Sequence, residues 1–385
     1  MSDDAPFLLD VTRLIWRRWR GRLPTGVDRV CLAYLRHFGN RSQAVVHHKR
    51  LRRILSVRAS QDLFALLNSP AESFRSALLR GILRHLPGTS ARGRDRLYLN
   101  VGHTGLDSND FRRWVSRSHV RPVYLVHDLI PITHPQYCRL GEEQRHHERI
   151  RTILTTGSGV IGNSQVTLDE LTQFAGREGL PMPVSLAVPL GIEPAVVGHD
   201  TASNPIPTFV TLGTIEGRKN HLLLLNVWSR LIDRLGSAAP RLVVIGQRGW
   251  EAQPVFDLLD NSEELRGYVT ELGHCSDEEL ARHLTSACAL LFPSFAEGYG
   301  LPVMEALASG VPVIASDLPV FRELCGEIPT YLNPSDLIAW ERAIIDYSQP
   351  RSKERAAQCE RMKRFHAPTW EEHFAMVETW LRTLV

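Results

Sequence analysis

Short apolar runs recur along this chain, and each is followed by a glycine-rich or polar turn. Residues 6–11, 96–101, 122–126, 159–162 and 183–189 read as strands in the first half. In the second half 208–212, 241–246, 269–273, 288–293 and 312–316 read the same way. Between them lie stretches with helical spacing. After a basic, tryptophan-bearing loop over 13–22, Thr25 opens a helix in which the apolar side chains at Val27, Val30, Cys31, Tyr34, Leu35 and Phe38 share one face. Further helices are predicted over 165–174, 221–235 and 370–384. Strands that are apolar throughout, alternating with helices, predict parallel sheets covered on both faces.

A chain of 385 residues is long for one core. The polar, proline-rich stretch 194–207 suggests where it divides. The expected organisation is a first domain over 1–195, a linker over 196–207 and a second domain over 208–366, with a terminal helix over 367–385. The expected fold class is α/β, with two Rossmann-like domains facing across a cleft. A hydrophobic content of 43% and a charged content of 23% suit a globular protein. No apolar stretch nears the ~20 residues that span a bilayer, and the opening Met1-Ser2-Asp3-Asp4 lacks the basic start of a secretory signal. The six cysteines (31, 138, 275, 288, 325, 359) show no metal-binding spacing and read as reduced thiols. Cytoplasmic localisation is the expectation.

The turns after the strands carry the chemistry. From Phe295 to Gly310 a strand hands over to a helix, with Gly298 and Gly300 at the turn, Leu301 and Pro302 at the helix start and Gly310 past its end. Free backbone N–H groups at such a helix start hold anions. Glu305 is the only charged residue between Glu297 and Asp317, and it sits in an apolar helix where a carboxylate needs a polar partner. A sugar diphosphate fits, with N–H groups on phosphate and carboxylates on hydroxyl pairs. Paired carboxylates also occur in glycosidases, but the glycine turn favours phosphate. After 208–212, Arg218 and Lys219 stand beside Asn220, read as the cap of the next helix. Two cations at a helix start make a second diphosphate contact. At Thr25-Gly26-Val27-Asp28 the sequence has the form of a capping box, and Gly26 leaves room for phosphate. Asp28 reads as the cap or as an acceptor contact. His103, His127 and Asp128 lie just past strand ends, where ligands bind in open α/β sheets.

The stretch Glu297-Gly298-Tyr299-Gly300-Leu301-Pro302-Val303-Met304-Glu305, two glutamates separated by seven residues around Gly-Tyr-Gly-Leu-Pro, resembles the signature of glycosyltransferase family 4. That resemblance implies the retaining, two-Rossmann GT-B architecture. It places the donor hexose on Glu297, the nucleotide ribose on Glu305 and the donor phosphates on Arg218 and Lys219. It puts His127 beside the donor sugar, and the nucleotide base against the backbone at His274 and Cys275. Leu23-Pro24-Thr25-Gly26-Val27-Asp28-Arg29-Val30 is similar to the opening of members that build O-antigen and other surface polysaccharides, often from GDP-mannose. The resemblance therefore implies no cofactor and no metal, only a nucleotide-sugar donor and a saccharide or lipid-linked saccharide acceptor. UDP- and dTDP-sugars stay open as donors. A base or pyridoxal lysine for an epimerase or phosphorylase is not evident.

Charge changes the picture of the first half. Residues 1–180 hold 28 Lys and Arg against 16 Asp and Glu, an excess of +12, whereas the remainder holds 17 against 26, or −9. Such asymmetry points to an anionic partner for the first domain. Arginines run through 41–96 among leucines, which predicts basic amphipathic helices. They suit peripheral contact with an anionic membrane, at the inner face of the plasma membrane, or a solvated face. A non-catalytic polyanion-binding protein is the competing class. Aromatic residues are sparse there, and nucleic acid is not expected. Oligomeric state is not legible.

Overall fold

The structure, a computed structural model, describes residues 5–21, 24–48, 51–69, 74–85, 93–193 and 206–384. Residues 1–4, Arg22, Leu23, Arg50, Arg92 and the linker as far as residue 205 lie outside the described residues, as does the side chain of Arg84. The chain forms two compact units. Unit 1 gathers 1–129, 144–190 and 370–385, and unit 2 gathers 130–143 and 191–369.

Unit 1 is built on a seven-stranded sheet: β1 (Phe7–Asp10), β2 (Ser42–His48), β3 (Leu51–Ile54), β4 (Leu97–Asn100), β5 (Arg121–Val126), β6 (Gly159–Gly162) and β7 (Ser185–Ala187), in the order β3-β2-β1-β4-β5-β6-β7. Every pairing is parallel except β2 with β3. Unit 2 has six parallel strands: β8 (Thr208–Leu212), β9 (Arg241–Ile245), β10 (Val269–Leu272), β11 (Leu290–Phe292), β12 (Val313–Ser316) and β13 (Thr330–Leu332), in the order β10-β9-β8-β11-β12-β13. Both are Rossmann-like. Strand order reverses between β1 and β4 in unit 1, and between β8 and β11 in unit 2. Ligands bind at such reversals, beyond the carboxyl ends of the strands.

The strands of unit 2 are apolar along their length because helices cover both faces of the sheet. Phe209, Leu224, Trp228, Leu242, Leu291, Ile314 and Trp340 fill its core. In unit 1 the terminal helix Trp370–Thr383 completes the fold. Tyr34 donates or accepts at His373 Nε2 (3.0 Å), and Glu378 accepts from His37 (2.6 Å) and Arg41. A Cβ on Gly159 of β6 would meet Trp380 and Leu384 at 2.6 and 2.7 Å, so glycine lets this helix lie close.

Three sequence-based expectations change. The basic stretch after β1, read as a loop over 13–22, forms the helix Thr12–Trp19. Asp10 Oδ1 accepts the Thr12 N–H at 3.0 Å, and one turn apart Arg13 and Arg17 both meet the buried Asp28, at 2.6 and 2.9 Å. A distant carboxylate thus stabilises a segment whose own charges repel. Within 41–96, two helices form (Val57–Asn68 and Phe74–His85), but Ser42–His48 and Leu51–Ile54 are the strand pair β2–β3, because β2 has the open edge of β1 to pair with. Asn220 precedes the helix His221–Leu235 without capping it. Its backbone is left-handed (φ 55°), and its side-chain amide donates instead to the carbonyls of Pro293 (3.2 Å) and Pro334 (2.8 Å).

Candidate functional site

At the strand-order reversal of unit 2, two loops meet. The loop after β8 supplies Glu216, Arg218 and Lys219, and the loop after β11 supplies Ala296 and Glu297. The Phe295 N–H donates to the Arg218 carbonyl at 2.9 Å, and the Asn220 bridge adds the loop after β13. These links fix the side chains. Arg218 Nε donates to Glu216 Oε1 at 2.9 Å, and its Nη1 meets Glu297 Oε2 and the Ala296 carbonyl, each at 2.9 Å. Lys219 Nζ donates to Glu297 Oε1 at 2.6 Å and lies 4.4 Å from the centre of the Phe292 ring. Burial alone would raise the Glu297 carboxyl, but the two cations outweigh it and hold it down at about 2. Burial lowers the Lys219 ammonium, and Glu297 opposes that shift.

The sequence presented Arg218 and Lys219 as open cations. In the structure two carboxylates hold them, and one of these, Glu216, was not singled out. Its signal was available: an acidic residue between a strand end and an Arg-Lys pair, only 4% exposed once folded. Such pairing fixes the guanidinium and ammonium in position before any substrate arrives, which lowers the reorganisation needed in a reaction that develops negative charge. His221, two residues after Lys219, is buried, and desolvation and then Lys219 lower its imidazole to about 3, so it is neutral.

Gly300 takes the left-handed conformation (φ 87°, ψ 49°) and delivers the chain into the helix Leu301–Ala308, with Pro302 in its first turn. Gly298 lies between Glu297 and this helix start, and Glu305 is half-buried in the helix. His274 and Cys275 follow β10, two strands from the reversal. His274 is exposed, and burial raises the Cys275 thiol, aided by Glu279 and Asp277.

In unit 1, a hollow of about 500 Å³ opens at the corresponding reversal, within the range of small-molecule sites. Its wall includes Arg13, Arg17, Arg20, Arg149, His103, His127, His146 and Asp128. The sequence-predicted His103, His127 and Asp128 therefore come together. His146, which joins them, was missed because its helix (Glu142–Thr156) reads as a solvated charged surface. His103 Nε2 lies 2.7 Å from the Leu125 carbonyl, His127 Nε2 lies 2.7 Å from that of Val101, and His146 Nε2 lies 3.1 Å from that of Asp128. Carbonyl oxygens only accept, so each Nε2 carries a proton, and in the neutral His103 and His127 rings Nδ1 carries the lone pair. Burial lowers His103 and His127 well below the usual imidazole range. Asp28 completes the capping box with Thr25: its Oδ2 accepts the Thr25 N–H at 2.7 Å. It is 1% exposed, so its carboxylate serves the helix start and the two arginines rather than solvent. Gly26 is the exposed first residue of that helix (Gly26–Phe38). Among the described residues, no group of three or more His, Cys, Asp or Glu is placed to hold a metal ion.

Known proteins give this geometry a context. Residues 206–349 match the family described as glycosyl transferases group 1. This chain is 31% identical over 160 residues to the O-antigen chain mannosyltransferase B of Escherichia coli, covering 42% of each protein. It is 44% identical over 97 residues to the O-antigen chain mannosyltransferase RfbU of Salmonella typhimurium, covering 25% of this chain and 26% of RfbU. The chain thus aligns with less than half the length of these relatives. Its fold is similar to that of Anabaena HepE, solved with UDP and glucose: the TM-score is 0.67 at 14% identity, over 98% of this chain and 99% of HepE. A sucrose-phosphate synthase from Thermosynechococcus elongatus gives a TM-score of 0.62 at 16% identity, over 99% of both chains. The matched stretch includes Arg218, Lys219, Glu297 and Glu305.

Proposed function

We propose that this chain is a retaining glycosyltransferase that moves a hexose from a nucleotide sugar to a saccharide acceptor. Mannose from a GDP-sugar is the first candidate, and UDP- and dTDP-sugars are the alternatives. One observation carries the reading: Arg218 and Lys219 are held by Glu216 and Glu297 at the strand-order reversal of a group 1 glycosyltransferase domain. There the cations meet the charge that grows on the departing diphosphate, and Glu297 meets the hexose. Unit 2 holds the donor, with Gly298, Gly300 and Leu301 at the phosphates, Glu305 on the ribose and the backbone at His274 and Cys275 on the base. Unit 1 holds the acceptor, with His127 and Asp128 nearest the chemistry. The acceptor is a growing surface polysaccharide or lipid-linked oligosaccharide, by likeness to the O-antigen relatives. Incubation with GDP-mannose and an oligomannoside tests this. Free GDP with an extended, α-configured product supports it, and isomerised or merely hydrolysed sugar counts against it.

Glu305→Ala separates ribose binding from catalysis. A carboxylate on a hydroxyl pair is worth about 1.5–3 kcal/mol, so the variant should bind bare GDP on the order of tenfold more weakly by calorimetry. Unchanged affinity would remove Glu305 from the ribose.

Peripheral membrane contact belongs to the same reading. Among the described residues no helix is long and apolar enough to cross a membrane. Several arginines of unit 1 are committed to its fold: Arg18 donates to the carbonyls of Leu66, Leu67 and Ser69, and Arg52 packs over Phe111 and reaches Ser108. Arg52 is therefore a poor probe of the surface. Arg75 is likewise tied to the fold, donating to the Trp19 carbonyl at 2.7 Å, so the exposed Leu79 and Arg80 of the helix Phe74–His85 are better ones. Each cation near an anionic leaflet contributes about 1 kcal/mol. Co-sedimentation with anionic but not neutral vesicles is expected, weakened by salt and by Arg80→Glu. Indifference to anionic vesicles at low ionic strength would refute it.

A further inference from the structure

The unit 1 hollow combines two chemistries that a neutral sugar does not require together. One side carries arginines. Arg13 and Arg17 approach Asp28 through Nε, the nitrogen nearest the stem, so two guanidinium groups share one buried carboxylate. Gly102 makes room for this: a Cβ there would stand 3.1 Å from Arg13 Cβ and Cδ and 3.3 Å from Cys31 Sγ. Arg20 lies over the Trp16 ring at 5.7 Å, and Arg149 enters from the helix Glu142–Thr156. Against these four cations the wall has two carboxylates, Asp107 and Asp128, and Asp107 is exposed. Counting Asp28 beneath, the positive charge is still in excess. On the other side His103, His127 and His146 are clustered, with the His103 ring centre 5.2 Å from that of His127 and 6.2 Å from that of His146. The neutral rings of His103 and His127 each keep a lone pair on Nδ1, an acceptor suited to a hydroxyl.

We propose that this hollow takes an acceptor sugar bearing its own negative charge, a phosphate or a carboxylate, with the anion on the arginines and the hydroxyl groups toward the imidazoles. Guanidinium forks match both anions bidentately. This deepens the transferase reading by naming the acceptor class, and it rests on that reading only for the word acceptor. The binding site itself stands without it.

The experiment uses the full chain saturated with GDP, so that the nucleotide site is occupied. Mannose, mannose 6-phosphate and glucuronate are titrated in turn and followed by calorimetry. The two anionic sugars distinguish phosphate from carboxylate. At least one should bind about tenfold more tightly than mannose. Arg20→Ala, at an exposed position where truncation leaves the core intact, and Arg149→Ala should each bring that affinity toward the mannose level, whereas Lys219→Ala should not. Equal affinity for all three sugars would overturn the proposal. So would an anion preference that survives both arginine variants or vanishes in Lys219→Ala. A chain that fails to bind GDP or to transfer mannose, yet prefers the anionic sugar through Arg20 and Arg149, would retire the transferase reading and leave this one standing.

Discussion

Replacing Lys219 by alanine should lower kcat by about 10²- to 10³-fold, the loss typical of a fixed donor aimed at developing charge. The ammonium sits 2.6 Å from Glu297 and against the Phe292 face, so its position is set before substrate binds. An interaction that strengthens as the donor bond breaks appears in kcat, while one made equally with bound donor appears in KM alone. A change confined to KM would therefore deny Lys219 its part in the transition state. The same variant has a signature without substrate. Glu297 keeps Arg218 but loses its second cation, so its carboxyl should titrate higher. With a native value of about 2, well below the unfolded value near about 4.3, this group adds stability above the unfolded value. That stability drains as pH falls from about 4 toward about 2. In Lys219→Ala the drain should begin at higher pH, moving the acid-unfolding midpoint upward. An unmoved midpoint would mean that Lys219 does not set the ionisation of Glu297.

The second large effect is on folding. Gly300→Ala should destabilise unit 2 by about 3 kcal/mol, from roughly 1–2 kcal/mol for a left-handed non-glycine residue and about 1–3 for overpacking. A Cβ at this position would run into Cε1 of the buried Phe321, with Cζ at 3.1 Å. In a unit of this size the loss lowers the melting temperature by roughly 6–12 °C. Gly310→Ala is the control: its φ is also positive, at 74°, but nothing lies within 4 Å of the added carbon. Only the backbone cost, about 1–2 kcal/mol, is expected there. Equal melting temperatures for the two variants would show that Phe321 yields to the added carbon.

Ten of the thirteen strands were legible, mostly as continuous apolar runs, and the turns after them because Gly, Asp, Glu and Arg cluster where the runs stop; β2, β3 and β13, short or interrupted by polar residues, were not. Leu290–Phe292 followed by Glu297 and Gly300 is readable from composition alone. What escaped depends on partners far away in sequence. Thr12–Trp19 is too basic to suggest a helix until Asp28 is placed beneath it. Asn220 has the composition of a cap, but two carbonyls from distant loops claim its amide. Glu216 and His146 look like solvated charge in sequence, and only the converging strand ends show what they face.

The helix Trp370–Thr383 belongs to unit 1, although the whole of unit 2 is translated before it. On the ribosome, β6 and its glycine must wait uncovered while some two hundred residues are made. Unit 2 has everything it needs to fold during that interval, and unit 1 does not. The order of synthesis therefore predicts that unit 2 matures first. It also predicts that a nascent chain arrested before residue 370 exposes the apolar ground that Trp380 and Leu384 later cover, a natural place for a chaperone to bind.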